Sequence, residues 1–351
     1  MAAGRRVLVT GLGTFWGGRV AQALEEDPTV DVVIGLDRDE PNIKLERTEY
    51  VRSDENYSIL SRIVQATKVD TIVHTFLIVD STQMPGRLLH EINVIGTMNL
   101  FAAASSPEST VRNVLVKSSA LVYGCSPQDP VWCREDYRRT APVRSRVERS
   151  LVEVEGYVRD FAVDNPHVTV SLLRFSNVLG PDIVTPLSKA LRLPLVPSVF
   201  GFDPRFQFVH EDDVVRSMLF VVGAGLPGIF NVAGDGLLPW SEVARICGKR
   251  TVAMPFVGAG LAASGLRPFG VDLPPELIEL LKYGRGIDNL RLKEAGFKYR
   301  FTSAGAVQAH IEALRLKGTV GPDPEYQYQE AVENFFRHSP AIVRDRPVEP
   351  T

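Results

Sequence analysis

Runs of apolar residues follow two different spacings through the first half of the chain. Short β-branched runs predict strands, whereas apolar residues three and four positions apart predict helices. The predicted strands are RRVLVT (5–10), DVVIGLD (31–37), TIVHTF (71–76), RNVLVKSS (112–119) and VTVSLLRF (168–175). The predicted helices are FWGGRVAQALEE (15–26), ENYSILSRIVQATK (55–68), LLHEINVIGTMNLFAAAS (88–105) and one that contains PVRSRVERSLVEVE (142–155). Strands that alternate with helices indicate an α/β fold with a doubly wound parallel sheet.

The pattern loosens from about residue 176, where proline and glycine become frequent. This change predicts a second, smaller lobe built over the sheet. GIFNVAG, near 228–234, indicates a strand that returns to the first lobe, so the two lobes interleave along the chain. We therefore expect a first domain over 1–175, a substrate-binding lobe over 176–320, and a peripheral helix with a mobile tail over 321–351.

Composition and charge narrow the class of partner. The chain has 351 residues, 44% of them hydrophobic, and a formal net charge of −3. No basic cluster is interleaved with aromatic residues, which disfavours nucleic acid and favours a small molecule. Three cysteines without a C-x-x-C spacing disfavour zinc and secretion, and no metal site is expected. The apolar run near the start is short and broken by glycines, unlike that of a signal peptide, so we expect a cytoplasmic protein. The longest uncharged stretch, 251–266, is shorter than the ~20 apolar residues of a spanning helix, so no transmembrane segment is expected.

A glycine-rich turn follows the first predicted strand. Gly11, Gly13 and Gly17 lie between that strand and the first helix, where backbone N–H groups and the helix dipole favour a pyrophosphate. Asp37 ends the second strand, where a carboxylate binds ribose hydroxyls and repels a 2′-phosphate. These residues predict NAD as the cofactor. NADP is the lesser alternative, because Arg38 is placed to turn onto a phosphate.

Seven separate stretches resemble the extended short-chain dehydrogenase/reductases, in the NAD-dependent epimerase/dehydratase family that includes UDP-galactose 4-epimerase. They are VTGLGTFWG (9–17), GLDRD (35–39), VRSD (51–54), INVIGTMNL (92–100), SSALVYG (118–124), LRFSNVLGP (173–181) and FQFVHEDDVV (206–215). The resemblance covers about residues 5–315. It implies a Rossmann-type NAD(P)-binding domain with an interleaved substrate lobe. It also implies transient hydride transfer on a nucleotide sugar or a related hydroxyl or keto compound.

The resemblance also assigns residues to the cofactor and to the substrate. The cofactor contacts that it implies are Gly11, Gly13, Thr14, Phe15, Trp16, Gly17, Asp37, Arg38, Asp54, His74, Thr75, Phe76, Asn93 and Ser118. The expected substrate contacts are Arg174, Asn177, Arg205, His210 and Arg285, whose arginines suit a pyrophosphate. The chain departs from the family at Thr14, where the middle glycine is usual, and at Thr75 and Phe76, where small residues are usual near the nicotinamide.

A larger departure concerns the catalytic set. The family's serine maps to Ser119, but its Tyr-x-x-x-Lys pair is missing from the helix at 142–155. The family's motif can be aligned with this helix in two registers, because an acidic residue usually lies four positions after the lysine and two glutamates could occupy that place. Glu153 places the pair at Ser145 and Arg149, and Glu155 places it at Val147 and Leu151. Ser145 has a hydroxyl of no comparable acidity, and Arg149 supplies charge and ribose contacts without a titratable amine.

A different proton donor is therefore expected if hydride transfer occurs. We favour Tyr137, whose loop precedes the helix, and keep Tyr123, His210 and Asp212 as alternatives. The protein is accordingly predicted to be an enzyme with an atypical catalytic set. Two alternatives remain open, namely a non-catalytic NAD(P)-binding sensor or scaffold, and a dehydrogenase-like enzyme for a hydroxysteroid or lipid, suggested by the apolar stretches at 191–202 and 251–266.

A homodimer is the last expectation. Relatives pair the helices that correspond to 88–105 and 147–162 into a four-helix interface. Four apolar residues recur at helical spacing and either supply that face or pack on the sheet, namely Val147, Leu151, Val154 and Val158.

Overall fold

The computed structural model of the protein describes residues 4–319 apart from positions 55, 257, 267, 269 and 271. The strands are β1 (Arg5–Thr10), β2 (Val30–Asp37), β3 (Thr48–Arg52), β4 (Thr71–His74), β5 (Asn113–Ser119), β6 (Trp132–Cys133), β7 (Thr169–Phe175), β8 (Asn177–Leu179), β9 (Leu195–Val199), β10 (Arg205–Phe206), β11 (Phe208–His210), β12 (Gly228–Val232), β13 (Leu238–Pro239), β14 (Arg250–Met254) and β15 (Gly286–Ile287). The peripheral helix and tail predicted over 321–351 lie outside the described residues.

The helices surround these strands and connect them. They are α1 (Phe15–Glu25), α2 (Tyr57–Thr67), α3 (Gly86–His90), α4 (Gly96–Ala104), α5 (Arg146–Asp164), α6 (Pro186–Arg192), α7 (Glu211–Ala224), α8 (Trp240–Ile246), α9 (Ala259–Ser264), α10 (Pro275–Tyr283), α11 (Leu290–Glu294) and α12 (Ser303–Thr319). A π-helical turn, Glu91–Ile95, joins α3 to α4. In the part of the chain that the structure describes, no helix combines the length and the apolar character needed to cross a bilayer.

Seven parallel strands form the central sheet, in the order β3-β2-β1-β4-β5-β7-β12. Side chains of β1 alternate between two buried faces, with Val7 and Val9 against α1 and α7 and Leu8 against α2, α4 and α5. The chain changes direction between β1 and β4, so the helices cover both faces. The expected α/β, Rossmann-type doubly wound fold is confirmed.

The edge strand β3 was missed by the sequence pattern. In the described part of the chain its one partner is β2, and its residues are half-buried or exposed, so TEYVR lacks the apolar run that marks the central strands. The helix predicted over 88–105 is interrupted by the π-helical turn. The helix expected within 142–155 begins at Arg146, where Ser145 caps it by accepting a hydrogen bond from the Glu148 N–H at 3.1 Å.

The second lobe is built from short pairs of strands. β8 pairs with β11, β9 with β14, β10 with β13 and β6 with β15. Trp240, Phe206 and Phe208 lie at the centre of its hydrophobic core and are almost fully buried. β12 leaves this lobe and pairs with β7 at the edge of the central sheet, so the expected interleaving is confirmed. The domain boundary at residue 175 stays a prediction.

A buried ion pair attaches α5 to the sheet. Arg174 on β7 contacts Glu155 on α5 through Nη2 at 2.5 Å and Nε at 3.0 Å. The Ser118 hydroxyl donates to the same carboxylate at 2.7 Å, and the Tyr123 hydroxyl accepts from the Arg174 Nη1 at 2.8 Å. Val147, Leu151, Val154 and Val158 all pack into the core against the sheet, which excludes them from a dimer face.

Because of this ion pair, replacing Glu155 should destabilise the fold far more than replacing the nearby Glu153. Glu155→Ala leaves the buried Arg174 unpaired, and we expect it to lower the free energy of unfolding by about 3–5 kcal/mol. Glu153→Ala is the matched control, because Glu153 lies on the exposed side of α5 beside His90. The Glu153→Ala substitution should change the free energy of unfolding by no more than about 0.5 kcal/mol. Urea unfolding followed by circular dichroism measures both, and equal losses would contradict the proposed role of the ion pair.

Candidate functional site

A cavity of about 370 Å³ lies between the carboxyl edge of the sheet and the second lobe. Because parallel strands all end at this edge, the loops after β1, β4, β5 and β7 converge there. From the first lobe the lining residues are Thr14, Phe15, Trp16, Thr75, Phe76, Leu77, Ile78, Val79, Asp80, Gln83, Lys117, Ser118, Ser119 and Leu121. From Phe175 onward they are Phe175, Ser176, Asn177, Val178, Ile183, Val184, Thr185, Pro186, Leu187, Pro274, Glu276, Leu277, Leu280 and Arg285.

The glycine-rich turn forms one wall of the cavity. Gly11 has a φ of +79°, and a Cβ there would lie 2.7 Å from the Phe76 backbone, so this position requires glycine. Gly17 packs against the Gly11 carbonyl oxygen, which a Cβ at position 17 would overlap. Thr14 caps α1, because its hydroxyl accepts from the Gly17 N–H at 3.1 Å. The threonine therefore satisfies one N–H of the helix start that the family's glycine would leave open.

The end of β2 lies beside this turn. The Asp37 carboxylate accepts hydrogen bonds from the Gly13 N–H at 2.9 Å and from the Arg38 N–H at 2.7 Å. The Arg38 guanidinium pairs with Asp54 at 2.9 Å, and both side chains are exposed. The turn, the ribose position and the adenine position predicted from the sequence are therefore neighbours in the fold.

The three residues at the end of β4 have different surroundings. Thr75 and Phe76 line the cavity, and the Thr75 hydroxyl donates to the Thr10 carbonyl at 2.8 Å. His74 is fully buried outside the lining, with its ring nitrogens 2.9 Å from the hydroxyls of Thr10 and Thr97. Burial, and then the charge of Lys117, lower the pKa of His74 to about 3. Its ring therefore joins β1 to α4 as a neutral group, instead of reaching the cavity as the sequence predicts.

Asn93 supports one wall of the cavity through hydrogen bonds to the backbone of Ile78. It lies in the π-helical turn, accepts from the Ile78 N–H at 2.8 Å and donates to the Ile78 carbonyl at 2.9 Å. The same amide donates to the Ser150 hydroxyl on α5 at 3.1 Å. Ile78 lines the cavity and Asn93 does not, so Asn93 fixes the loop after β4 without facing a ligand.

The end of β5 brings a cation to the cavity that the sequence analysis missed. Lys117 is 5% exposed and its Nζ donates to the Leu77 carbonyl at 2.9 Å. Burial lowers the pKa of this ammonium to about 8. Ser118 and Ser119 follow it along the strand, and all three line the cavity. A lysine within the apolar run RNVLVKSS was the signal that could have identified it.

Helix α5 contributes no polar group to the cavity lining among the described residues. Ser145 is the helix cap and Arg149 lies on the exposed face, so neither is directed at the strand ends. Val147 and Leu151 face the sheet and are fully buried. The two positions that the alignment on Glu155 assigns to the Tyr-x-x-x-Lys pair therefore face the sheet, and both are occupied by aliphatic side chains.

The tyrosines considered as proton donors lie outside the lining. Tyr123 is buried, its hydroxyl donates to Asn231 at 2.6 Å, and burial raises its pKa to about 12. Tyr137, the preferred donor in the sequence analysis, contacts Asp129 through its hydroxyl at 3.3 Å. Both side chains therefore brace the region behind the cavity.

His210 and Asp212 also differ from their predicted positions. His210 caps α7 by accepting from the Asp212 N–H at 3.2 Å, and its ring stacks on Phe301 with 3.8 Å between centroids. The Asp212 carboxylate lies 3.6 Å from the His210 ring nitrogen and is half-exposed. Neither residue lines the cavity, so the pair organises the start of α7.

Two of the five predicted substrate residues line the cavity, Asn177 and Arg285. Asn177 donates to the Gln207 carbonyl at 2.9 Å, and Arg285 is buried with its Nη1 donating to the Gly124 carbonyl at 3.0 Å. Arg174 is held in the ion pair with Glu155, and Arg205 is exposed on β10. The structure therefore brings one arginine to the cavity instead of three.

A buried acid on the second lobe was also missed. Glu276 lines the cavity and accepts from the Ser81 hydroxyl through Oε1 at 2.6 Å. Its Oε2 is buried without a hydrogen-bond partner among the described residues. Burial raises the pKa of this carboxyl. No motif of the sequence marked it, because it lies in an ordinary amphipathic helix.

The chain is similar in sequence to a known protein family and to a known protein. The model of the NAD dependent epimerase/dehydratase family matches residues 7–233. An uncharacterized protein of Mycobacterium tuberculosis (strain ATCC 25618 / H37Rv) is 34% identical over 324 residues, which are 90% of this chain and 86% of that protein.

Two solved structures share the fold. UDP-glucose 4-epimerase of Thermotoga maritima with UDP-glucose is 18% identical with a TM-score of 0.67, covering 90% of this chain and 100% of that one. MoeE5 in complex with UDP-glucose and NAD is 21% identical with a TM-score of 0.68 and the same coverage.

The position of Asp37 predicts which nicotinamide cofactor the protein binds. The wild type should bind NADH more tightly than NADPH, and Asp37→Ala should weaken NADH binding by about 1–3 kcal/mol through loss of a charge-assisted hydrogen bond. Asp39→Ala removes the same charge from the same loop and is the control. Fluorescence titration measures the affinities. Equal losses from both variants, or tighter binding of NADPH, would contradict a ribose-binding role.

Proposed function

The chain belongs to the NAD-dependent epimerase/dehydratase family, as its motifs predicted, and on that premise we propose that it is an NAD-dependent enzyme. Its substrate is a nucleotide sugar or a related hydroxyl or keto compound, which it converts by transient hydride transfer. One observation carries this proposal: a single cavity contains the start of α1 and Ser119 together with Asn177 and Arg285. A cofactor at the glycine-rich turn and a substrate against the second lobe would therefore meet beside β5.

The residues at the carboxyl edge fit NAD. The first turn of α1 offers N–H groups and a favourable dipole to the pyrophosphate, and the glycine at position 11 keeps the wall open. The Asp37 carboxylate suits the ribose hydroxyls. When bound, NAD supplies the acceptor and donor of the hydride. The protein binds it, orients it and separates the reacting atoms from water.

The second lobe offers groups that suit a sugar nucleotide. The Arg285 guanidinium binds a phosphate oxygen through the N–H groups that Gly124 does not occupy. The unpartnered Oε2 of Glu276 accepts a hydrogen bond from a hydroxyl. Asn177 adds an amide close to the end of β7. A phosphorylated, polyhydroxylated compound satisfies all three groups.

Two other functions have specific support. Apolar side chains make up much of the second-lobe lining, which favours a hydroxysteroid or lipid; they are Ile183, Val184, Leu187, Leu277 and Leu280. The aliphatic residues Val147 and Leu151 at the expected catalytic positions favour a cofactor-binding sensor or scaffold without turnover. The charged groups Arg285 and Glu276 argue against a wholly apolar ligand, because burying them against one would be costly.

A substrate panel separates these functions. We expect conversion of at least one UDP-, dTDP- or GDP-sugar with NAD present, detected by NADH absorbance and by mass spectrometry and NMR of the product. Arg285→Met should raise KM at least tenfold for such a compound, whereas Arg205→Met, an exposed arginine nearby, should change it little. Turnover of hydroxysteroids alone would support the apolar alternative. NADH binding with an inert panel would support the sensor.

We also propose that the protein is a homodimer. A shallow groove between α4 and α5 is lined by Met98, Phe101, Ala102, Tyr157 and Phe161 among its apolar residues. Met98 and Tyr157 are 39% and 38% exposed, and Ile95 beside them is 43% exposed. These side chains extend from the two helices that relatives pair, and a second copy would cover them.

A single charge on this face should separate the protomers. We expect a dimer for the wild type at micromolar concentration and a monomer for Tyr157→Asp, because the substitution buries a carboxylate in an apolar contact. Val163→Asp is the control, since Val163 is exposed on another side of the same helix. Light scattering measures the mass. A monomeric wild type, or loss of the dimer in both variants, would contradict this interface.

A further inference from the structure

We propose that Lys117 transfers the proton in this cavity, in place of the Tyr-x-x-x-Lys pair that α5 lacks. The inference rests on the proposed hydride-transfer function and assigns its missing acid and base to a strand instead of a helix. Lys117 immediately precedes Ser118 and Ser119 on β5, and all three residues line the cavity that also contains the start of α1 and Arg285.

The surroundings of Lys117 are unusual for a structural lysine. A buried lysine is normally paired with a carboxylate. Among the described ion pairs none includes Lys117, and the contact of its Nζ is the Leu77 carbonyl at 2.9 Å. An ammonium has three N–H bonds, so this contact leaves donors available for a ligand. The protein therefore keeps a costly buried ammonium at the cavity wall that Ser118 and Ser119 also line.

The charged groups around Lys117 leave it available for proton transfer. In the cavity, Asp80 and Glu276 are the acids and Arg285 is the other cation. Glu276 is bonded to Ser81. On β4, His74 is neutral, because burial lowers its pKa to about 3.

Helices α1 and α7 cover one face of the sheet, and the acidic side chains of α7 lie close to cations of the same two helices or to His210. On α7, Glu211 lies 3.4 Å from Arg19 of α1, and Asp213 pairs with Arg216. Asp212 lies 3.6 Å from both Arg19 and His210. None of the described ion pairs joins these carboxylates to Lys117.

The chemistry of an amine suits the missing step. The neutral amine would take the proton as the substrate O–H bond breaks and the C=O bond forms. NAD, held at the glycine-rich turn, would supply the acceptor for the hydride of the adjacent C–H bond. The resulting ammonium donates a hydrogen bond to the new carbonyl oxygen and returns the proton when the hydride is returned. Because burial lowers the pKa of Lys117 to about 8, both protonation states are populated close to neutral pH. Turnover should therefore rise with pH to a midpoint near 8.

The first test needs no substrate. Lysine side chains are labelled with ¹³C at Cε, and the Lys117 signal is assigned by its absence from Lys117→Arg. We expect it to titrate with a midpoint near 8 and to shift when NADH binds, whereas Lys249, a partly buried lysine bonded to the Leu191 carbonyl, does not respond to NADH. A midpoint near the ordinary 10.5, or no response to bound NADH, would overturn the inference. Absence of NADH binding would instead overturn the proposed function, and the inference with it.

The second test uses the compound that the panel identifies. Lys117→Met should lower kcat by about 10²–10⁴-fold with NADH affinity within a few-fold of wild type. Lys117→Arg keeps the charge but cannot take up a proton, so it should lose activity similarly and lose the pH midpoint. Lys249→Met is the matched control and should keep the activity and the pH profile. Full activity of Lys117→Arg would assign the residue an electrostatic role and contradict proton transfer. If the pH midpoint of turnover disappears in Glu276→Gln but remains in the Lys117 variants, Glu276 is the titrating group, and proton transfer by Lys117 is contradicted.

Discussion

The buried contact between Arg174 and Glu155 determines how helix α5 faces the sheet. It joins β7 to α5, and Ser118 on β5 and the Tyr123 hydroxyl bind to the same pair of charges. A buried pair of this kind is intolerant of rotation, because any turn of the helix would leave a charge without a partner in a low-dielectric interior. The orientation of α5 in turn puts Val147 and Leu151 against the sheet and Arg149 in solvent. Among the described residues, the absence of α5 side chains from the cavity lining thus follows from packing, and the proton transfer that we propose is assigned to another element.

Strand β5 is the element that can supply it. The carboxyl edge of a parallel sheet collects loops from several strands, so a group moved from a helix to a neighbouring strand stays within reach of the same ligand. Lys117 takes such a position, with a cost of burial that no carboxylate offsets among the described ion pairs. Buried charges without partners cluster at functional sites, because folding alone would select against them. Arg285 and Glu276 on the second lobe provide the corresponding contacts for the rest of a substrate.

The sequence predicted the sheet well, because its central strands are buried on both faces and must therefore be apolar runs, as VLVT in β1 shows. It missed β3, an edge strand whose exposed positions can be polar. Motifs marked the glycine-rich turn and Asp37, and the structure places the two side by side. Side-chain direction was harder to predict. His74 is the last residue of β4 but its side chain turns into the core, and Tyr137 contacts Asp129 instead of the cavity. The sequence did not identify Lys117 as a cavity residue, because the family's motif begins one residue later, at Ser118. The burial of its side chain is visible only in the folded chain.

The most direct test of proton transfer by β5 is a crystal structure of the protein with NAD and an active nucleotide sugar. We expect the Lys117 Nζ within hydrogen-bond reach of the reacting oxygen, about 2.6–3.2 Å, with the Ser119 hydroxyl on the same oxygen and the aliphatic side chains of α5 behind it. A side chain of α5 or the Tyr137 hydroxyl in that position, with Lys117 still bound only to the Leu77 carbonyl, would contradict it.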